Sequence, residues 1–191
     1  MNVLSELQHL EVDQLKETQR KLNIRAAICM FNVRTSGNVG MAIRTACTMG
    51  FSDFIICGRR HYDRRFTVGG HNYIDISYFP GVEVDLGTSV EKITYFPEEF
   101  AEKCISDNWI PVFIEQGGED IRDIIFGENS LLIFGNESIG IPKTFMDSVK
   151  FLIPKSKVVS IPQWSILRSM NVTHAATIAM WHLRTKNYKN E

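Results

Sequence analysis

The sequence predicts an α/β fold, a mostly parallel sheet flanked by helices. Three observations lead there. Short apolar runs alternate with stretches of helical periodicity along most of the chain. Several of those runs end in Gly-containing turns, as parallel strands do when they hand over to a crossover helix. The 191 residues, with no internal repeat and no Pro/Gly/Ser linker, suit one domain with a sizeable core.

The elements follow in order. Residues 5–21 set Leu7, Leu10 and Leu15 among charges, with Leu22 just beyond, and predict an amphipathic leading helix. We therefore read 1–24 as a helical extension and 25–191 as the main domain. Residues 26–31 are a short apolar run, a buried strand. Residues 38–49 are helical in pattern, with Val39, Ala42, Ile43 and Ala46 on one face. Residues 53–57, 110–114, 131–134 and the run from Val158 predict further strands, and 100–105, 121–125 and 142–149 short helices. A final helix over 170–183 spaces Val172, Ala176, Ala179 and Leu183 toward a core. Met180 and Trp181 fall outside that strip, and two apolar faces on one terminal helix imply a second partner. In such a sheet, ligands bind beyond the carboxyl ends of the strands.

Composition narrows the function. Hydrophobic residues at 44% exclude a disordered chain, and no apolar run approaches a membrane span. The first residues carry acids and no apolar core, so no signal peptide is expected. Cys29, Cys47, Cys57 and Cys104 lack CxxC spacing, which suits reduced thiols in a cytoplasmic protein. Net charge is −1, yet residues 20–65 hold nine basic residues against two acidic ones, and 83–128 hold twelve acidic against three basic. A near-neutral chain of this kind can still present a basic face to nucleic acid, and scattered surface charge is the plainer alternative. No HExxH, zinc-spaced His/Cys set or GxSxG elbow is present, and no metal site is expected. Gly135 and Gly140 have P-loop spacing, but Ile141 and Pro142 follow in place of Lys and Ser/Thr.

Three segments stand out. Asn38, Gly40 and Arg44 follow the strand over 26–31. Gly37 and Gly40 would let an anion approach a helix start closely, or Asn38 caps the helix and Arg44 is merely solvated. Gly135, Asn136, Glu137 and Gly140 form a Gly-bracketed loop after the strand over 131–134, with Pro142 opening a helix. Ile161 and Pro162 end a strand, and Ser169, Met170, Asn171 and Thr173 stand at the start of the last helix, where Ser and Asn are also good caps.

Taken together, these segments resemble the three signature motifs of the SpoU/TrmH family of SPOUT RNA ribose 2′-O-methyltransferases. Asn38, Gly40 and Arg44 match the first motif, Gly135, Glu137 and Gly140 the second, and Ile161, Pro162, Ser169, Asn171 and Thr173 the third. The resemblance covers residues 25–184. It implies a deep C-terminal trefoil knot over 131–172, S-adenosylmethionine as cofactor, RNA as substrate and a homodimer. It implies cofactor contacts at Ile114, Gly135, Asn136, Gly140, Ile161, Ser169 and Met170, and catalytic roles for Arg44, Asn38, Glu137, Ser169 and Asn171. Arg44 would activate the ribose hydroxyl or clamp the substrate phosphate. Arg59, Arg60, Arg64 and Arg65, with Tyr62 among them, suit phosphate contact and base stacking, and Arg168 joins them as an RNA contact. Gln163, Trp164 and Ser165 stand where the family often has Met-x-Gly. The third motif resembles tRNA-modifying members, which favours tRNA over rRNA. A catalytically inactive RNA-binding module of the same fold is the competing expectation.

Overall fold

A computed structural model describes residues 3–22, 24–85, 92–164, 166–167 and 169–187. After a 3-10 turn at Ser5–Leu7, α1 spans Val12–Lys21 and opens with a reciprocal capping box between Glu11 and Gln14. The single leading helix expected over 5–21 is thus two pieces. Of its three leucines only Leu15 is buried, and Leu22 just beyond lies exposed. Gln19 fastens α1 to the domain by donating to the carbonyls of Cys47 and Phe51 at 2.9 and 3.0 Å.

The remaining elements are β1 (Ile24–Phe31), α2 (Ser36–Thr48), β2 (Phe51–Cys57), α3 (Arg64–Thr67), β3 (Asp75–Phe79), β4 (Val82–Asp85) and β5 (Lys92–Tyr95). Then come α4 (Pro97–Ser106), β6 (Ile110–Asp120), β7 (Ser130–Phe134), α5 (Lys143–Leu152), β8 (Lys157–Ser160) and α6 (Val172–Asn187). Six strands form one sheet in the order β3-β2-β1-β7-β6-β8, and every pairing in it is parallel. β4 and β5 pair antiparallel outside it.

Both faces of the sheet are covered. Ile28 and Met30 of β1 pack with α2 and α6 residues such as Ile43, Ala176 and Leu183. Ala27, Cys29 and Phe31 point the other way, toward Phe100 of α4 and Phe145 of α5. A strand buried on both faces reads as an unbroken apolar run, which is why β1 and β7 are plain in the sequence. Burial also pushes the thiols of Cys29, Cys47 and Cys57 up, and that of Cys104 to about 12.

Several expectations change. Met180 faces the core and is fully buried, while Trp181 is 60% exposed beside the half-exposed Ile178. The second apolar face of α6 therefore rests on Trp181 and Ile178, not on Met180. The helix expected over 121–125 is one 3-10 turn, Ile121–Asp123, because Ile121 and Ile124 point inward but Ile125 does not. β3 and the β4–β5 hairpin are additions: their residues alternate apolar and polar, but each run is only four or five residues long. Among the described residues no helix is long and apolar enough to cross a membrane.

One irregularity positions the site. β6 bulges between Ile114 and Glu119, both of which face Val159 of β8. Gly117 takes φ +79°, and a Cβ on Gly118 would lie 2.4 Å from the Val158 carbonyl, so the crossing admits only glycine there. The bulge turns Glu115 and Gln116 out over the carboxyl ends of β6, β7 and β8.

Candidate functional site

A cleft of about 510 Å³ opens at that edge. Ile114, Gly135, Asn136, Gly140, Ile161, Ser169 and Met170, every cofactor contact expected from the sequence, line it. So do Glu137 and Asn171. Arg168 lies outside the described residues. Sequence reasoning missed Glu115, Gln116, Ser138 and Ile139, which also line the cleft, as does Gln163 of the loop after Pro162. Glu115 and Gln116 directly follow the apolar run of β6, and that place at a strand's carboxyl end was the available signal.

The loop after β7 is built as a cradle. Asn136 is buried and donates through Nδ2 to the Asn32 carbonyl at 2.8 Å. Its Oδ1 accepts from the backbone N–H of Ser138 and Ile139, an Asx turn, and its backbone pairs with that of Gly140. Asn136 thus shapes the cleft as well as lining it. Gly140 takes φ +64°, and a Cβ there would sit 2.3 Å from Glu115 Oε2. A Cβ on Gly135 would lie 2.5 Å from the Gly140 carbonyl carbon. Two backbone segments and one carboxylate occupy the volume that side chains would need. Glu115 closes this corner by accepting from the Ile141 N–H at 3.0 Å.

The three sequence segments meet at one end of the cleft. Glu137 accepts from the backbone N–H of Arg34 and Thr35 at 2.8 and 3.0 Å, and from Asn38 Nδ2 at 2.9 Å. Burial works against its ionisation, but these donors outweigh it and hold the carboxyl below its usual range. Asn171 caps α6 by accepting from the Thr173 N–H, and its amide donates to Asn38 Oδ1 at 3.3 Å. Thr173 Oγ1 adds a contact to Asn38 at 3.4 Å. Asn38 is therefore not the cap of α2, which begins at Ser36 with Thr35 before it. It is buried, and it joins Glu137 to Asn171 across about 100 and 133 residues of sequence.

This network answers the question of an anion at the start of α2. The anion is the chain's own Glu137, held by free N–H groups where the helix dipole favours negative charge. The glycines serve packing. A Cβ on Gly40 would meet the Asp63 carbonyl oxygen at 2.5 Å, and one on Gly37 would meet the Phe66 ring at 3.3 Å. They let α3 lie flush against α2.

Arg44 stands apart. It follows Asn38 by six residues, about 240° around the helix at 3.6 residues per turn. It is exposed, beside Gly70, and does not line the cleft. Ser169 is exposed at the cleft mouth. The basic run lies along the turn after β2 and on α3. Arg64 and Arg65 are exposed, with Arg65 forked onto Asp63, while Arg60 lies 5.8 Å from the Tyr78 ring centre and Arg59 is partly buried. Among the described residues no three His, Cys, Asp or Glu side chains gather as a metal would require.

A parallel sheet flanked by helices, with a glycine-cradled cleft at its carboxyl edge, defines an α/β protein whose cleft lies where such sheets bind ligands. Residues 25–181 match the SpoU rRNA methylase family, and the chain belongs to that family, within the SPOUT class. No curated protein sequence matches it. Among solved structures it is similar to the AdoMet-bound rRNA methyltransferase from Sinorhizobium meliloti, at 23% identity and TM-score 0.63 over 86% of this chain and 57% of that one. It is similar to the SpoU methyltransferase AviRb from Streptomyces viridochromogenes in complex with AdoMet, at 20% and 0.65 over 86% and 58%. The A. aeolicus TrmH/SpoU tRNA modifying enzyme aligns at 16% and 0.69 over 92% and 81%. These likenesses show a common fold, and the chain spans under two thirds of the first two proteins.

Proposed function

We propose that this chain transfers a methyl group from S-adenosylmethionine to a ribose 2′-hydroxyl of RNA, with tRNA favoured over rRNA. The observation that carries the reading is the convergence of Asn38, Glu137 and Asn171 at one end of a cleft lined by all seven expected cofactor contacts. The lining suits an adenosyl group. It offers apolar Ile114, Ile139 and Ile161, backbone polar groups around Gly135 and Gly140, and no described cation to clash with a sulfonium. When bound, S-adenosylmethionine supplies an activated methyl on a positively charged sulfur. The chain supplies position and electrostatics. Glu137 and Asn38 fix the loop over 135–140 against the start of α2, and Asn171 ties the last helix to the same point. A C-terminal knot over 131–172 suits the way β8 returns beside β6 and α6 packs back onto α2.

Arg44 is proposed to act in the cleft of a second copy. Its exposure and its distance around α2 from Asn38 suit that role, and Trp181 and Ile178 offer the apolar face for a dimer. Arg44 would then hold the substrate phosphate and orient the ribose. Arg64, with Arg59, Arg60 and Arg65, is proposed to hold the RNA backbone. Calorimetry tests the cofactor step. S-adenosylmethionine should bind one site per chain, unaffected by chelator, and no binding at millimolar ligand would overturn the reading. Mapping ribose methylation across total RNA with and without the protein then identifies the nucleotide.

A further inference from the structure

The cleft carries a charge signature that its role in holding a cofactor does not require. Among its described lining residues the ionisable side chains are Glu115 and Glu137, with no Lys, Arg or His. Both carboxylates are fixed from behind. Glu137 is gripped by Arg34, Thr35 and Asn38, and Glu115 accepts from Ile141 and from the Gln116 N–H, each at 3.0 Å. Backbone N–H groups hold these oxygens in place but bring no net charge, so the negative potential in the cleft persists. Glu115 is the less committed of the two. It is partly buried, and with two donors bound it keeps lone pairs for a ligand. Its Oε2 packs against the backbone at Gly140, where any Cβ would displace it, so the position of the carboxylate is fixed.

We propose that Glu115 makes this cleft select its cofactor by charge, favouring the cationic sulfonium form over the neutral thioether left after methyl transfer. The inference rests on the cofactor reading above. S-adenosylmethionine has one more positive charge than S-adenosylhomocysteine and is otherwise nearly the same shape. A fixed carboxylate in a half-enclosed cleft therefore discriminates between them where shape cannot. The consequence is directional. Transfer removes the charge that the cleft holds, so product leaves a site that favours fresh cofactor. Glu115 is here a specificity-determining residue.

The test is calorimetry on the full chain with three ligands. They are S-adenosylmethionine, S-adenosylhomocysteine and sinefungin, which bears a charged amine near the place of the sulfonium. The wild type should bind both cations roughly tenfold more tightly than the neutral product, a difference of about 1.4 kcal/mol. Glu115→Gln keeps an acceptor for the Ile141 N–H, and its fold is checked by circular dichroism melting. It should weaken both cations by a similar factor and leave S-adenosylhomocysteine unchanged. Wild-type protein that binds S-adenosylhomocysteine as tightly as S-adenosylmethionine overturns the proposal without use of any variant. So does a Glu115→Gln protein that weakens all three ligands alike, and in both cases the cofactor reading stands. Failure of all three to bind the wild type removes the cofactor reading itself.

Discussion

Glu137→Gln is the perturbation whose size the structure lets one work out. The wild-type carboxylate accepts three N–H bonds, from Arg34, Thr35 and Asn38. Glutamine keeps the shape but loses the charge, and its amide nitrogen must face at least one of those donors. Hydrogen bonds to a charged group are worth about 1.5–3 kcal/mol each when water cannot replace them. Arg34 and Thr35 are exposed and regain water, whereas Asn38 is buried. The net cost is then about 1–2 kcal/mol, after discounting for solvent at the exposed donors. For a domain of this size that lowers Tm by about 2–8 °C. The pH dependence fixes the cause. The carboxyl is held below its usual range, so its stabilisation is fully present above the unfolded carboxylate pKa and is lost as pH falls through the lower folded value. Urea melts of both proteins between pH 8 and pH 3 should show a constant gap down to the unfolded Glu pKa of about 4.3, then a closing gap. Equal midpoints at pH 7 would refute the assigned network. A gap that persists undiminished at the acid end would show that the mispaired amide, not the lost charge, is what destabilises the variant.

Other consequences are as direct. Arg44→Ala should lower single-turnover methylation at saturating RNA with cofactor affinity unchanged, and a near-normal rate would remove Arg44 from the reaction. Replacing Arg59, Arg60, Arg64 and Arg65 together should weaken RNA binding and flatten its salt dependence, because each lost phosphate contact releases fewer counterions. An unchanged salt slope would mean that RNA docks elsewhere. Light scattering should report twice the 21.8 kDa of one chain, and Trp181→Glu should shift the population toward the single-chain mass. A wild-type protein found only at the single-chain mass at micromolar concentration counts against the dimer. Gly40→Ala should destabilise by about 1–3 kcal/mol, the usual cost of overpacking, since its Cβ would meet a backbone oxygen of Asp63 that cannot swing away. A melting temperature equal to wild type would show that α3 moves freely against α2.

The sequence by itself determined the layered α/β class and named many of the residues that line the cleft. The strands of β1, β2 and β7 are buried on both faces, so hydrophobicity alone marks them. The cleft loop that follows β7 is conspicuous for its glycines and asparagine, and most of the rest of the lining lies in β6, follows β8 or opens α6. The short strands β3, β4 and β5 were missed, because four or five alternating residues carry too little pattern to stand out before their pairing is known. Nor could local sequence show which face of α6 Met180 would occupy, since an apolar residue beside a core strip fits either side until the sheet is in place. Only the tertiary structure decided what Asn38 and Glu137 do. Capping and anion binding were both open from local sequence. The folded chain resolved them by bringing its own carboxylate from about a hundred residues away onto the start of α2. Long-range hydrogen bonds of this kind leave no periodic trace, because their geometry exists only after the strands have aligned their carboxyl ends.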